Sequence, residues 1–190
     1  MTRTATLEDI DAISHIQQNL ILDVNALSNP SYRAQIQKDG FLIKNHLLTE
    51  TFDNDIIGRY IVSEHEGRVV GYLRVDNTPE MTDDDHAYWL IPSMKEAYHA
   101  LPHACISRLA VRSDIRKHGV AKEMLQLAEK QARDKGVQYL FSFVVLAPVT
   151  NTVSLLFHEN TGFERVAITL PRPLFGMEAY QSILYYKKLL

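Results

Sequence analysis

Residues 104–135, ACISRLAVRSDIRKHGVAKEMLQLAEKQARDK, constrain the fold of this chain more than any other stretch. They read as strand, short loop and helix. Ile106, Leu109, Ala110 and Val111 make an apolar run sufficient for a buried strand. Ser113-Asp114 interrupts that run with turn chemistry. From Gly119 onward, Val120, Met124, Leu127, Ala128 and Gln131-Ala132 recur at helical spacing. Glu129 with Arg133 and Lys130 with Asp134 stand i,i+4 on the other face. Gly136 falls where helices commonly end on a left-handed glycine.

The junction carries the chemistry. Arg116-Lys117-His118-Gly119-Val120-Ala121 puts a glycine and a small residue at the mouth of the helix. The first N–H groups of a helix lack internal partners, and the dipole there is positive. Gly119 and Ala121 let an anion approach that backbone. Arg108, Arg112, Arg116, Lys117 and Lys122 crowd the same region, although the chain carries a formal net charge of −3. This pattern predicts a polyphosphate site. The chain contains no G-x-x-x-x-G-K-[ST] and no G-x-G-x-x-G, which argues against a P-loop or a Rossmann site.

Arg116-x-x-Gly119-x-Ala121, following an apolar strand and opening a helix, resembles the R/Q-x-x-G-x-G/A signature of the GNAT superfamily of N-acetyltransferases. A second segment strengthens the resemblance. Asn151 to Phe163 follows the apolar strand Tyr139 to Leu146 and is similar to the family's N-x-x-S/A-x-x-L-Y/F-x-x-x-G-F. Its local physics stands independently: Val153, Leu156 and Phe157 share a helix face, and Gly162 ends the helix.

The remaining chain reads as one domain over residues 1–190. The acidic balance argues against a nucleic-acid partner. The single cysteine, Cys105, excludes an internal disulfide and fits a reducing compartment, the cytoplasm. No stretch approaches the length of a membrane span, and the N-terminus does not read as a signal peptide. Arg3 to Ala5 reads as a first strand. Thr6 then N-caps a helix with Glu8 and Asp9 in its first turn and Leu7, Ile10, Ile13, Ile16 and Leu20 as its stripe. Asn29-Pro30-Ser31 and Gly40 read as breaks, and Asn45 to Phe52 as a second helix. Tyr60 to Glu64 and Val69 to Val75 read as a hairpin turning at His65-Glu66-Gly67-Arg68. Residues 80–103 read as an insertion of helical pieces broken at Pro92 and Pro102. Phe163 to Leu170 and Ser182 to Lys188 close the sheet, with Pro171, Pro173 and Gly176 in the loop between them.

The resemblance covers the chain from about Tyr60 to the C-terminus, and more loosely the first strand and helix. It implies an α/β (α+β) fold: a mixed, strongly twisted sheet of six to seven strands flanked by helices. Two central parallel strands would splay apart and admit acetyl-CoA. Its pyrophosphate would sit on Arg116, Lys117, His118, Gly119, Val120 and Ala121. Its pantetheine arm would pair with the backbone of Leu109, Ala110 and Val111 like an added strand. Asn151, Ser154 and Phe157 would complete the cofactor site. Family members often carry a Tyr acid where this chain has Phe157, and a Glu where it has Ser107. Ser154 and Tyr185 are then the substitutes for the missing acid, and a water relay replaces a direct carboxylate base.

Other residues have competing readings. His99 and His103 stand i,i+4, but Pro102 interrupts them and nothing completes a ligand set, so no metal is expected. Cys105 reads as an inert buried thiol. Asp83-Asp84-Asp85 reads as a solvated helix start, or as a lure for a cationic amine. Trp89 and Tyr98 read as pocket or core. Two functions follow: an N-acetyltransferase acting on a primary amine of a small molecule or protein, or an acyl-CoA-binding module without efficient catalysis. A homodimer is left open.

Overall fold

The computed structural model describes residues 1–43, 52–78 and 86–190. Among them, nine strands form one mixed sheet. In chain order these are β1 (Thr2–Thr4), β2 (Tyr60–His65), β3 (Arg68–Asp76), β4 (Ala87–Trp89), β5 (Ala104–Val111), β6 (Tyr139–Ala147), β7 (Glu164–Thr169), β8 (Arg172–Leu174) and β9 (Met177–Lys188). The spatial order is β1-β2-β3-β5-β6-β9-β7-β4, with β8 added onto β9. The flanking helices are α1 (Ile10–Gln18), α2 (Pro30–Asp39), α3 (Asn54–Ile57), α4 (Met94–His99), α5 (Val120–Asp134) and α6 (Thr152–Asn160).

The class agrees with the expected mixed sheet, and the count exceeds it by β4 and β8. Both are three-residue strands, too short for a period of two to register. Trp89 and its neighbours, read as helical, instead pair antiparallel with β7. The loop around Pro173 is itself a hairpin with β9, turned by Phe175 and Gly176 at φ of 55° and 78°. Two further expectations are corrected. Leu7 lies in a short 3-10 turn ahead of α1, which rotates it off the apolar stripe and leaves it exposed. Asn29-Pro30-Ser31 starts a helix. The Asn29 Oδ1 accepts from the Ser31 and Tyr32 N–H groups, and Pro30 falls in the first turn, where no N–H is needed. The helix expected at 45–52 lies, but for Phe52, outside the described residues, as does Asp83-Asp84-Asp85.

The β2–β3 hairpin turns where expected, on Glu66 and Gly67, both at positive φ. Alternation then sends Ile61 and Leu73 toward α5, and Tyr60, Val62 and Tyr72 toward α1 and α3. On β5 a bulge resets that alternation. Arg74 faces Arg108 and Val75 faces Ile106, so Ser107 is the extra residue. Before it, Ala104 and Ile106 point to the α5 core. After it, Leu109 and Val111 do, while Ala110 turns to the α1 side.

Helix α5 buries Met124, Leu125, Ala128 and Ala132 against β1, β2, β3 and β5. Glu129, placed on the outer face by the i,i+4 count, is buried as well. Its carboxylate accepts from Lys187 Nζ at 2.6 Å and Arg133 Nη2 at 3.0 Å, tying α5 to the last strand. Removing one partner of a buried pair strands the other. Lys187→Ala is expected to lower unfolding free energy by about 1–3 kcal/mol in urea melts. An unchanged midpoint would mean that Arg133 and solvent satisfy Glu129 alone.

Candidate active site

Strands β5 and β6 run parallel but pair only over Ala104, Cys105 and Ile106 against Leu140, Phe141 and Ser142. Beyond that point β5 stays with β3 to Val111 and β6 stays with β9 to Ala147. The two strands therefore part, and a cleft of about 620 Å³ opens between them. Ile106 to Val111 form one wall and Ser142 to Val145 the other. From Ser107 on, β5 has no β6 partner for its backbone, so ladder groups face the cleft.

The N-terminus of α5 points into the same cleft. Its cap residue is Gly119, at φ +82°, and no side chain caps the helix. A Cβ added to Gly119 would meet nothing within 4 Å. That open space lies before the free N–H groups of a 15-residue helix, with Lys117 and Lys122 on its rim. Lys117 also adopts positive φ, 70°, so the loop turns on two left-handed residues with only His118 between them. Arg116, one of the basic residues around the junction, bonds to two backbone carbonyls. Its Nε donates to the Val111 carbonyl at 3.2 Å and its Nη1 to the Asp39 carbonyl.

The segment after α2 crosses the cleft mouth. Asp39 to Ile43 line the cavity, held by Arg116 on one side and by Asn151 on the other. Asn151 Nδ2 donates to the Phe41 carbonyl at 2.8 Å, and its Oδ1 caps α6 by accepting from the Ser154 N–H at 3.3 Å. The two amide functions of Asn151 thus both have partners in the protein. Leu42 adds a bridge to Ile21.

Helix α6 presents Val153, Ser154 and Phe157 to the cleft, whereas Leu156, read on the same apolar face as Val153 and Phe157, is exposed. His158 is the buried residue of α6. Its Nδ1 lies 2.7 Å from the Ser154 carbonyl. A carbonyl only accepts, so Nδ1 carries the proton and Nε2 is the acceptor. The Ser142 hydroxyl lies 2.8 Å from Nε2, and 3.3 Å from the Ile106 carbonyl. Burial pushes the His158 imidazole down to about 4, against which the hydrogen bond to Ser154 acts weakly.

Leu109, Ala110, Val111, Arg116, Lys117, Gly119, Val120, Ala121, Asn151, Ser154 and Phe157 all line this one cleft. His118 is exposed and does not line it. Nor does Tyr185: its ring is fully buried and stacked on His158 at 5.3 Å, and its hydroxyl donates to Glu159 at 3.2 Å. His103 is buried against Phe141 and Tyr98 away from the cleft, and Cys105 is buried and in no disulfide. Trp89 and Tyr98 pack together in the core under α4. Among the described residues, no three His, Cys, Asp or Glu side chains are grouped to hold a metal, and no helix is long and apolar enough to cross a membrane. Sequence reasoning missed Ser142 and His158, which lie 16 residues apart and meet only through packing. Phe175 and Tyr180, within the 171–180 stretch that the resemblance implies as a substrate wall, reach the cleft through the β8–β9 hairpin.

A strand pair parting in front of a helix N-terminus is the arrangement that the resemblance implies. The Acetyltransferase (GNAT) family description matches residues 22–163. The chain belongs to this family and is an acyltransferase. Solved structures share the fold. A ribosomal-protein-alanine N-acetyltransferase from Brucella melitensis superposes with a TM-score of 0.58 at 18% identity, covering 99% of each chain. An N-acetyltransferase from Staphylococcus aureus Mu50 gives 0.59 at 16% identity, over 100% of this chain and 98% of that one. A streptothricin acetyltransferase described as putative, from Bacillus anthracis str. Ames, was solved in complex with acetyl coenzyme A. It gives 0.55 at 15% identity, over 76% of this chain and 72% of its own. No curated protein matches the chain.

Two outcomes follow from the geometry. Asn151→Asp keeps the cap acceptor but loses the donor to Phe41, and it is expected to cost about 1–3 kcal/mol in chemical unfolding. A loss no larger than that of an exposed substitution would show that the Phe41 tie is dispensable. His158 titrates at about 4 in the folded chain and near about 6.5 when unfolded. Between those values the unfolded chain binds a proton that the folded chain refuses, so stability falls as pH falls, by roughly 3 kcal/mol across the window. His158→Phe should flatten that slope. An imidazole signal for His158 that titrates near pH 6.5 in the folded protein would contradict it.

Proposed function

We propose that the chain transfers an acetyl group from acetyl-CoA to a primary amine by direct attack in a ternary complex, as one catalytic domain over residues 1–190. The observation that carries this reading is the parting of β5 and β6 directly in front of the α5 N-terminus. The unfilled space at Gly119 suits a pyrophosphate against free helix N–H groups, with Lys117 and Lys122 adding charge. The backbone from Leu109 to Val111, without a β6 partner, suits an extended amide arm added as a strand. Arg116 and Asn151 shape the mouth through Asp39 and Phe41. Bound acetyl-CoA supplies an acetyl group already activated as a thioester.

The acceptor amine must be neutral to attack, and alkyl amines are mostly protonated at neutral pH. A group in the cleft therefore takes a proton. The backbone freed at the Ser107 bulge offers N–H donors for the tetrahedral oxyanion. Gly40 to Ile43, Phe175 and Tyr180 line the cleft beyond the β5 wall, and they form the surfaces against which an acceptor would be chosen.

A second reading, an acyl-CoA-binding module without efficient turnover, is favoured by Phe157 lining the cleft where a hydroxyl would serve as acid. One assay separates the two. Acetyl-CoA is mixed with the protein and a panel of amines that includes small metabolites, antibiotics and peptide N-termini, and free thiol is followed. Amine-dependent thiol release is expected, and CoA binding without it would favour the module. Gly119→Val forces a β-branched residue into the left-handed region at a cost of about 1–2 kcal/mol and fills the space before α5. The folded variant should lose at least about tenfold in acetyl-CoA affinity, each 1.4 kcal/mol being a factor of ten. Unchanged affinity by calorimetry would refute the assignment.

A further inference from the structure

Ser142 stands at the vertex of the cleft, as the last residue of β6 to pair with β5. Its hydroxyl has two acceptors, His158 Nε2 at 2.8 Å and the Ile106 carbonyl at 3.3 Å. The shorter contact and the Nδ1–H tautomer, set by the Ser154 carbonyl at 2.7 Å, direct the hydroxyl proton at the imidazole. The Ser142 lone pairs are then left for a donor in the cleft, which both residues line. A hydroxyl bonded to an imidazole whose far nitrogen is itself held is the geometry of an activated proton carrier. Any buried imidazole needs a partner on each ring nitrogen, and here one of them is a hydroxyl on the cleft wall. The ring is held further by Tyr185, Phe157 and Phe163, at centroid distances of 5.3, 5.6 and 4.9 Å.

We propose that Ser142, backed by His158, carries the proton released by the attacking amine to the departing sulfur. The inference rests on the N-acetyltransferase reading above. It resolves the absence of an acid at Phe157 and of a carboxylate at Ser107. In the step, the amine nitrogen forms a bond to the acetyl carbon and acquires a positive charge. Ser142 Oγ takes one proton from that nitrogen while its own proton passes to His158 Nε2. The carbon–sulfur bond then breaks, with its electron pair leaving on sulfur. Ser142 gives a proton to the thiolate and recovers one from His158. The products are an amide and a free thiol, and both residues return to their starting states. No oxidant or further reactant is needed.

The depressed proton affinity of buried His158 makes uptake of the proton the uphill half of the relay and its return the downhill half. An imidazolium that titrates at about 4 readily returns its proton to a thiolate whose thiol titrates near about 8.5. Ser142 would be the catalytic residue, because its hydroxyl is the group that the relay sets against the reacting atoms. His158 acts through it.

The test compares the full chain with Ser142→Ala, which removes one hydroxyl and leaves the wall in place. Expected is a fall in kcat of about 10²-fold or more, with KM for acetyl-CoA and its calorimetric affinity unchanged. His158→Phe should fall to a similar level, and the combined variant no further, because the pair acts as a unit. An independent readout is the nitrogen-15 spectrum of His158 without any ligand. It should show the Nδ1–H tautomer, with an Nε2 signal that shifts in Ser142→Ala. An active wild type matched by Ser142→Ala, or an Nε2–H tautomer, would overturn the relay alone. A wild type that binds CoA but acetylates no amine would overturn the function, and the relay with it.

Discussion

Two parallel strands that share three residue pairs and then separate set the conditions for everything else in this protein. Parallel neighbours normally satisfy one another's backbone groups along their length. Here β5 and β6 stop doing so after Ile106 and Ser142, and each remains bound on its outer side, to β3 and β9. The sheet is thereby open in its interior without having a free edge in the usual sense. The stretch of β5 from Ser107 on, without a β6 partner, lies along the wall of a cleft. The Ser107 bulge adds to this by reorienting β5 at the same point, so that Leu109 and Val111 still pack on α5 while the backbone turns toward the opening.

The helices secure the opening from both sides. Helix α5 holds its wall by burying Met124, Leu125, Ala128 and Ala132, and by the Glu129 bridge to Lys187 on β9. Helix α6 holds the other wall through His158, packed on Tyr185. The chain after α2 then spans the two helix N-termini, tied by Arg116 to Asp39 and by Asn151 to Phe41. Residues whose motif positions point to ligand binding are thus also structural fasteners. Substitutions at Arg116 or Asn151 will combine a change in the mouth with a change in the site, and activity measured alone will not separate them.

Buried polar groups recur where the sheet parts. Ser142, His158 and Asn151 are all nearly inaccessible, yet each has a hydrogen-bond partner. Such groups are costly to bury unless their partners are fixed, and fixed partners are what proton movement and ligand placement need. The His158 ring illustrates the balance. Burial favours its neutral form, and the Ser154 carbonyl selects which nitrogen keeps the proton.

Much of this protein was legible in its sequence where the signal is local. The Ala104–Val111 strand, the glycine entry to α5 and the hairpin at Glu66-Gly67 follow from apolar period and from residues with special backbone behaviour. Those cues depend on neighbours within a few positions, so they survive without knowledge of the fold. The three-residue strands β4 and β8 carry too little period to be seen, and Asn29-Pro30 reads equally as a break and as a helix start until a helix follows it. The burial of Glu129 and the pairing of Ser142 with His158 were invisible for a different reason. A carboxylate looks solvated until Lys187 arrives from 58 residues away, and a serine and a histidine look unrelated until α6 folds back onto β6. Sequence alone therefore determined the longer elements and the glycine entry to α5, because these are properties of short segments. Tertiary structure decided which polar groups are desolvated together, because that depends on which surfaces the packed chain removes from water.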